Sequence, residues 1–154
     1  MSRSDHSQAL PTIGWREWLA LPELGLGRIK AKIDTGARSS ALHAREIRVE
    51  RQAGLDVVRF VVYPLQHDQR QRVVCQAALI DERLVRNSAG EQSLRPVVRT
   101  EVELLGRRWT IELSLAGRDE MGFRMLLGRE AIRGRLVVDP GRSFLTDRAD
   151  GYTR

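Results

Sequence analysis

One carboxylate in this chain stands where chemistry can be asked of it. In Ala31-Lys32-Ile33-Asp34-Thr35-Gly36-Ala37 a strand pattern ends on an acid, and small residues follow at once. A carboxylate held at such a turn can exchange a proton with water or with a substrate. Gly36 permits a close approach that a side chain would block, and Thr35 can fix the loop by donating its hydroxyl to the backbone. Taken alone, the triplet favours a structural turn, because Asp, Thr and Gly are ordinary turn residues.

Metal and nucleotide chemistry find less support. A hydrolytic zinc needs about three protein ligands and an open position. The chain has His6, His43 and His67, a single Cys75, and no His-Glu-x-x-His pattern. His43 is read as structural or loop-stabilising. No G-x-x-x-x-G-K-[ST] segment is present to cradle phosphates. The residues therefore support neither zinc nor ATP dependence, and the expectation is no cofactor and no metal.

The elements that must position Asp34 read as strands from Ile13 onward. Ile29 to Ile33 alternates apolar and basic residues with period two. Glu46 to Gln66 reads as a hairpin turning near Gly54 and ending at Pro64, which cannot donate to a sheet ladder. A second strand group covers Arg72 to Leu79. Asn87-Ser88-Ala89-Gly90 is a polar, glycine-bearing tip between Leu84-Val85 and Val97-Val98. The clearest hairpin follows. Val98, Val102 and Leu104 share one face and Arg99, Glu101 and Glu103 the other, and Trp109, Ile111, Leu113 and Leu115 return after a turn at Leu105-Gly106-Arg107. Strict alternation of this kind marks a strand with one buried and one wet face. Met125-Leu126-Leu127 reads as a buried strand ending at Gly128. Arg129 to Ile132 fits one helical turn, stopped by Gly134, and Leu136 to Pro140 a last strand.

The 154 residues fit one domain, residues 13–147, between an irregular tail at 1–12 and a short one at 148–154. Hydrophobic residues at 42% and charged residues at 30% are ordinary for a soluble globular protein. No apolar run reaches the roughly 20 residues of a membrane-spanning helix. The N-terminal residues lack an apolar signal-peptide core, and one cysteine allows no internal disulfide, so the expected compartment is the cytoplasm. Lys and Arg total 26 against 20 acids, a net charge of +6, and only Lys30 and Lys32 are lysines. Acids interrupt the basic residues almost everywhere, which favours a solvated mixed-charge surface over a nucleic-acid face.

Late in the chain, Leu126-Leu127-Gly128-Arg129 supplies two hydrophobics and a glycine ahead of a short helix. With Asp34-Thr35-Gly36-Ala37 before it and a glycine-tipped hairpin between, the order resembles that of retropepsins, in which a hydrophobic-hydrophobic-Gly strand cradles the Asp loop and the hairpin is a flap. IKAKIDTGARSSALHA (Ile29 to Ala44), RPVVRT (Arg95 to Thr100), MLLGR (Met125 to Arg129) and VDP (Val138 to Pro140) resemble more closely one bacterial family, named ATP-dependent zinc proteases, over roughly Ile13 to Asp147. The resemblance implies an all-β, retropepsin-like closed barrel or sandwich with one short C-terminal helix. It also implies an association with ATP-grasp ligases that add glutamate to proteins or peptides.

By this resemblance, a domain with a single Asp-Thr-Gly carries half of an aspartic catalytic pair. The resemblance implies a twofold homodimer that brings Asp34 from each subunit across the axis. Two carboxylates held close share one proton; the ionised one activates water and the protonated one polarises the scissile carbonyl. Asp34, Thr35 and Gly36 are the implied catalytic loop. Ala37, Arg38, Arg129, Asn87, Ser88 and Gly90 are the implied substrate-binding positions. Arg38 stands where retropepsins carry an acid that pairs with the arginine kept here as Arg129. Acids elsewhere must then balance two arginines, or the loop packs differently. Alternatively, Arg38 faces the cleft and selects acidic side chains. The segment Arg45 to Leu79 is longer than a minimal retropepsin requires, as an added hairpin over the cleft or at the dimer interface. The leading expectation is an aspartic peptidase acting on a peptide or protein, with glutamate-rich tails as a candidate substrate. Its rival is an inactive peptide-binding or regulatory module that partners a glutamate ligase.

Overall fold

The computed structural model describes residues 9–65, 70–86, 89–117 and 122–146. Eleven strands form among them: β1 (Thr12–Gly14), β2 (Arg16–Leu21), β3 (Leu26–Asp34), β4 (Ser40–His43), β5 (Arg45–Gln52), β6 (Leu55–Val62), β7 (Val73–Arg86), β8 (Gln92–Leu104), β9 (Arg107–Ala116), β10 (Met125–Gly128) and β11 (Val137–Asp139). A 3-10 turn at Pro22–Leu24 and one helical turn, α1 (Arg129–Ile132), complete the elements. The protein is mostly β, as expected.

Nine strands form one sheet in the order β2-β3-β10-β4-β9-β8-β7-β6-β5. An Ala20↔Glu103 pairing joins β2 to β8 as well, so the first six strands curl into a barrel-like sheet whose two edges meet at a single residue pair. The remaining strands, β7 to β5, extend from it. The Arg45 to Leu79 segment is thus largely the β5–β6 hairpin, turned at Ala53-Gly54 and carried on the far edge of the sheet. The expected groups at Arg72 to Leu79 and Leu84-Val85 are one continuous 14-residue strand, β7, with an irregularity between Leu79 and Asp81.

The barrel closes because alternation places apolar side chains inside. Leu21, Ile29, Leu42, Val98, Val102, Leu113, Leu115, Met125 and Leu127 are fully or almost fully buried. Each stabilises the fold by roughly 1.5–3 kcal/mol. Exposed ion pairs such as Arg108–Glu103 contribute about 0–1 kcal/mol. Apolar burial, not surface charge, holds the barrel.

One core position is a carboxylate. The alternation that buries Leu19 and Leu21 carries Glu17 inward too. Its oxygens accept from the backbone N–H groups of Gly14 (2.6 Å), Leu145 (2.9 Å) and Thr146 (3.1 Å) and from the Thr146 hydroxyl (3.0 Å). A charge left without such donors would not tolerate burial. Glu17 therefore clamps the Leu145-Thr146 segment to β2. The parallel β1–β11 pair ties the same two ends of the domain together.

Candidate active site

Asp34 is the last residue of β3, a central barrel strand. Parallel pairing with β10 sets Met125 beside Ala31, Leu127 beside Ile33 and Gly128 beside Asp34. The two motifs far apart in sequence are therefore neighbours. Antiparallel β4 flanks β10 on its other side. Strand ends place the acid, and the loop behind it is pinned from both directions. Asp34 Oδ1 accepts from the N–H groups of Gly36 (3.1 Å) and Ala37 (3.2 Å), and Ala37 N–H also meets the Asp34 carbonyl (3.2 Å). In return the Ala37 and Arg38 carbonyls accept from Arg129 N–H (2.7 Å) and Glu130 N–H (3.0 Å), the first residues of α1.

Gly128 makes this packing possible. A Cβ there would lie 2.5 Å from the carbonyl carbon and oxygen of Ser39, far inside contact distance. Its N–H donates to Ser40 Oγ at 2.9 Å in a buried bond. Gly36 differs: a Cβ would sit 3.4 Å from Asp34 Oδ1, and its φ is not in the left-handed region. Crowding within the chain therefore does not demand this glycine.

Asp34 is half-buried, Thr35 and Gly36 are exposed, and Ala37 is half-buried. Among the described residues the loop is held through the Thr35 carbonyl, which accepts from Arg129 Nη1 at 3.2 Å, rather than through the Thr35 hydroxyl. Arg38 is exposed and lies 3.9 Å from Glu130, which also faces Arg133 at 3.6 Å. The acid beside Arg38 thus comes from α1, while Arg129 turns to the Thr35 carbonyl. The Arg38–Glu130 pair is weak, because both partners are well solvated.

The expected flap is the outer half of the β7–β8 hairpin. Leu84 faces Leu94 across it, both exposed, and Arg83 faces Arg95. Gly90 adopts φ +85°, a left-handed conformation suited to glycine at the turn. Asn87 and Ser88 lie outside the described residues. Arg83 reaches from the arm to Glu112 on β9 (2.9 Å) and to Asp81 (2.9 Å). The Arg83 guanidinium, helped by the Glu82 N–H, holds the Asp81 carboxyl below its ordinary range.

Beside the loop lies an open groove of about 570 Å³, lined by Arg38, Ser39 and Ser40, by Arg83 and Arg99, by Trp109 to Glu112, and by Glu130, Ala131 and Arg135. Alternation marks Arg99 as solvent-facing, but no sequence signal joined it to Trp109 and Arg135. Only the β8–β9 ladder and the seat of α1 on β9, fixed by the Trp109 indole N–H donating to the Ala131 carbonyl (3.1 Å), bring them together.

His43 is buried, with Nδ1 3.2 Å from Arg124 Nη1 and its N–H on the Arg124 carbonyl (2.8 Å). It joins the end of β4 to Arg124, the residue before β10. Among the described residues no three His, Cys, Asp or Glu side chains gather to hold a metal ion. Cys75 is buried with its thiol 3.4 Å from the Leu24 carbonyl, and burial pushes its pKa up to about 11. It is packed as a small hydrophobe, not poised as a nucleophile.

Residues 12–149 match the RimB-like family, described as retropepsin-like aspartic endopeptidase RimB. The chain belongs to the RimB-like family. The family carries the aspartic-endopeptidase description rather than the zinc-protease label of the family the motifs resemble. The chain is 48% identical over 128 residues to a protein of Desulfotalea psychrophila named "Probable alpha-L-glutamate ligase", a match covering 83% of this chain and 28% of that protein. A protein of Shewanella pealeana with the same name is 42% identical over 132 residues, covering 86% and 29% respectively. The chain spans less than a third of the length of these curated relatives. Among solved structures, a protein of unknown function from Legionella pneumophila superposes with a TM-score of 0.74 at 28% identity, covering 90% of this chain and 99% of that one.

Proposed function

We propose that this protein is an aspartic peptidase that becomes active as a homodimer, with Asp34 of each subunit forming the catalytic pair. The observation that carries the reading is the Asp34 loop. A carboxylate at a strand end accepts two backbone N–H bonds through Oδ1, is braced by Gly128 and α1, and stays partly open to solvent. Bonds to one oxygen fix the plane of the carboxylate and leave the other to act. A twofold dimer would set two such groups face to face, one ionised to take a proton from attacking water, one protonated to polarise the scissile carbonyl. Gly36 supports this arrangement. The chain itself leaves room for a Cβ there, so a second loop approaching from outside gives the glycine its use.

The substrate in this reading is a peptide or protein tail rich in glutamate, within the cytoplasm, and the working unit is residues 13–147. Relatives named as glutamate ligases carry a segment like this chain within a longer protein, which supports an association with glutamate ligation. The same fact favours a second reading, a non-hydrolytic module that binds glutamylated peptides or a ligase. Wild type and Asp34→Asn are incubated with a mixed peptide pool that includes oligoglutamate-tailed peptides, with and without chelator, from acidic to neutral pH. Cleavage that survives chelator and disappears in Asp34→Asn is the expected result. Intact binding with no cleavage by either protein selects the second reading.

A further inference from the structure

The groove beside the Asp34 loop has an electrostatic imbalance that the catalytic loop does not explain. Four guanidinium groups line it: Arg38 from the loop, Arg83 from β7, Arg99 from β8 and Arg135 after α1. Two carboxylates face them, Glu112 from β9 and Glu130 from α1. Both are already engaged. Glu112 lies 2.9 Å from Arg83, and Glu130 lies 3.9 Å from Arg38 and 3.6 Å from Arg133.

Arg99 stands directly opposite Glu112 in the β8–β9 ladder, yet Glu112 gives its carboxylate to Arg83. Arg135 rests with its guanidinium 5.1 Å from the centre of the Trp109 ring. Among the described residues, neither Arg99 nor Arg135 makes an ion pair with a carboxylate. Both are exposed, and both border the same cavity. The floor between them is rigid, because Trp109 is buried and its indole N–H is fixed on the Ala131 carbonyl at 3.1 Å. Two unmatched planar cations, Arg99 on β8 and Arg135 in the turn after α1, next to a half-apolar floor, suit a planar anion with a short aliphatic stem. Guanidinium groups bind carboxylates through paired charge-assisted hydrogen bonds.

We infer that this groove is a carboxylate-binding subsite, in which Arg99 and Arg135 hold an acidic side chain of the substrate next to the Asp34 loop. The inference deepens the peptidase reading and rests on it for the substrate's peptide nature. It places acid selection on Arg99 and Arg135, which have no carboxylate partner among the described residues, rather than on Arg38, which has a weak one in Glu130. Charged hydrogen bonds of this kind correspond to an affinity change on the order of 10-fold or more for each arginine removed.

The test uses the full chain carrying Asp34→Asn, which binds without turnover, in calorimetric titrations. The probes are tetraglutamate, its C-terminal amide and tetraglutamine, the amide separating a side-chain carboxylate from a chain terminus. The expected result is tighter binding of both glutamate peptides than of tetraglutamine, weakening as salt rises. Arg99→Gln or Arg135→Gln should reduce that preference on the order of 10-fold, with partial recovery in Arg99→Lys. In the otherwise wild-type chain the same substitutions should raise KM for the glutamate peptide and leave kcat nearly unchanged. Equal binding of the glutamate and glutamine peptides, no binding of any, or a preference untouched by both substitutions overturns the subsite. So does a change of sedimenting mass in either variant, which would assign the arginines to an interface between copies. A preserved preference without any wild-type cleavage would defeat the peptidase reading alone and leave the subsite standing.

Discussion

Gly128→Ala is the sharpest perturbation of the way this chain positions its acid. The new Cβ would meet the Ser39 carbonyl carbon and oxygen at 2.5 Å and its Cα at 3.0 Å. All three are backbone atoms, so nothing can rotate away, and β10 or the loop after Asp34 must move by about 1 Å to reach ordinary contact. Forced overpacking of this kind costs about 1–3 kcal/mol. The same movement weakens the buried bond from Gly128 N–H to Ser40 Oγ, worth about 1 kcal/mol. Together the loss is about 2–4 kcal/mol, which lowers a urea midpoint on the order of 1–2 M for a domain of this size. Gly27→Ala is the control, because no heavy atom lies within 4 Å of its added Cβ and its φ is not left-handed. That variant should stay within about 1 kcal/mol of wild type. Both midpoints are measured by circular dichroism at one fixed protein concentration, since the proposed dimer would add a mass-action contribution. A Gly128→Ala midpoint matching that of Gly27→Ala would refute the claim that close packing of β10 against the loop sets the geometry of Asp34.

Glu17→Ala removes the acceptor of four donors and leaves buried N–H groups of Gly14 and Thr146 without it. At about 1–3 kcal/mol for each unmet donor, the variant should lose at least about 2 kcal/mol and melt well below wild type in a thermal scan. Cys75 titrates near its ordinary 9.0 when unfolded and at about 11 when folded, so between those values the unfolded chain has lost a proton that the native one keeps. Stability should therefore fall by roughly 2 kcal/mol as pH rises through that window. Urea midpoints for Cys75→Ala should show a smaller drop over the same range; equal drops would mean that other groups account for it.

The extent to which the architecture could be read in advance varied by element. The β8–β9 hairpin was fully legible, since Val98, Val102 and Leu104 alternate against charged neighbours and a glycine turn separates them from Trp109, Ile111 and Leu113. The break expected inside β7 was not there. Asp81, Glu82 and Arg83 look like a polar interruption, but a strand projecting from the barrel is wet on both faces and has no apolar alternation to show. Glu17 was equally hidden. An acid in a strand reads as solvent-facing until the donors of Leu145 and Thr146, more than 120 positions away, are seen to surround it.

For the candidate site the division has a physical cause. Local sequence determines what one strand and its turn can do, because alternation and turn chemistry act over a few residues. Asp34 at a strand end, the tight turn of Thr35 and Gly36, and a hydrophobic strand closing on Gly128 were all set at that range. Pairing between strands far apart in the chain is decided by which register buries the most apolar surface with every backbone group satisfied, and that is a property of the whole barrel. The resemblance to retropepsins implied that the Gly128 strand cradles the Asp34 loop, but only the tertiary structure could set the Gly128–Asp34 register and give Arg38 its acid from Glu130. Only it could gather Arg99 and Arg135, from β8 and from the residues after α1, around the single ring of Trp109.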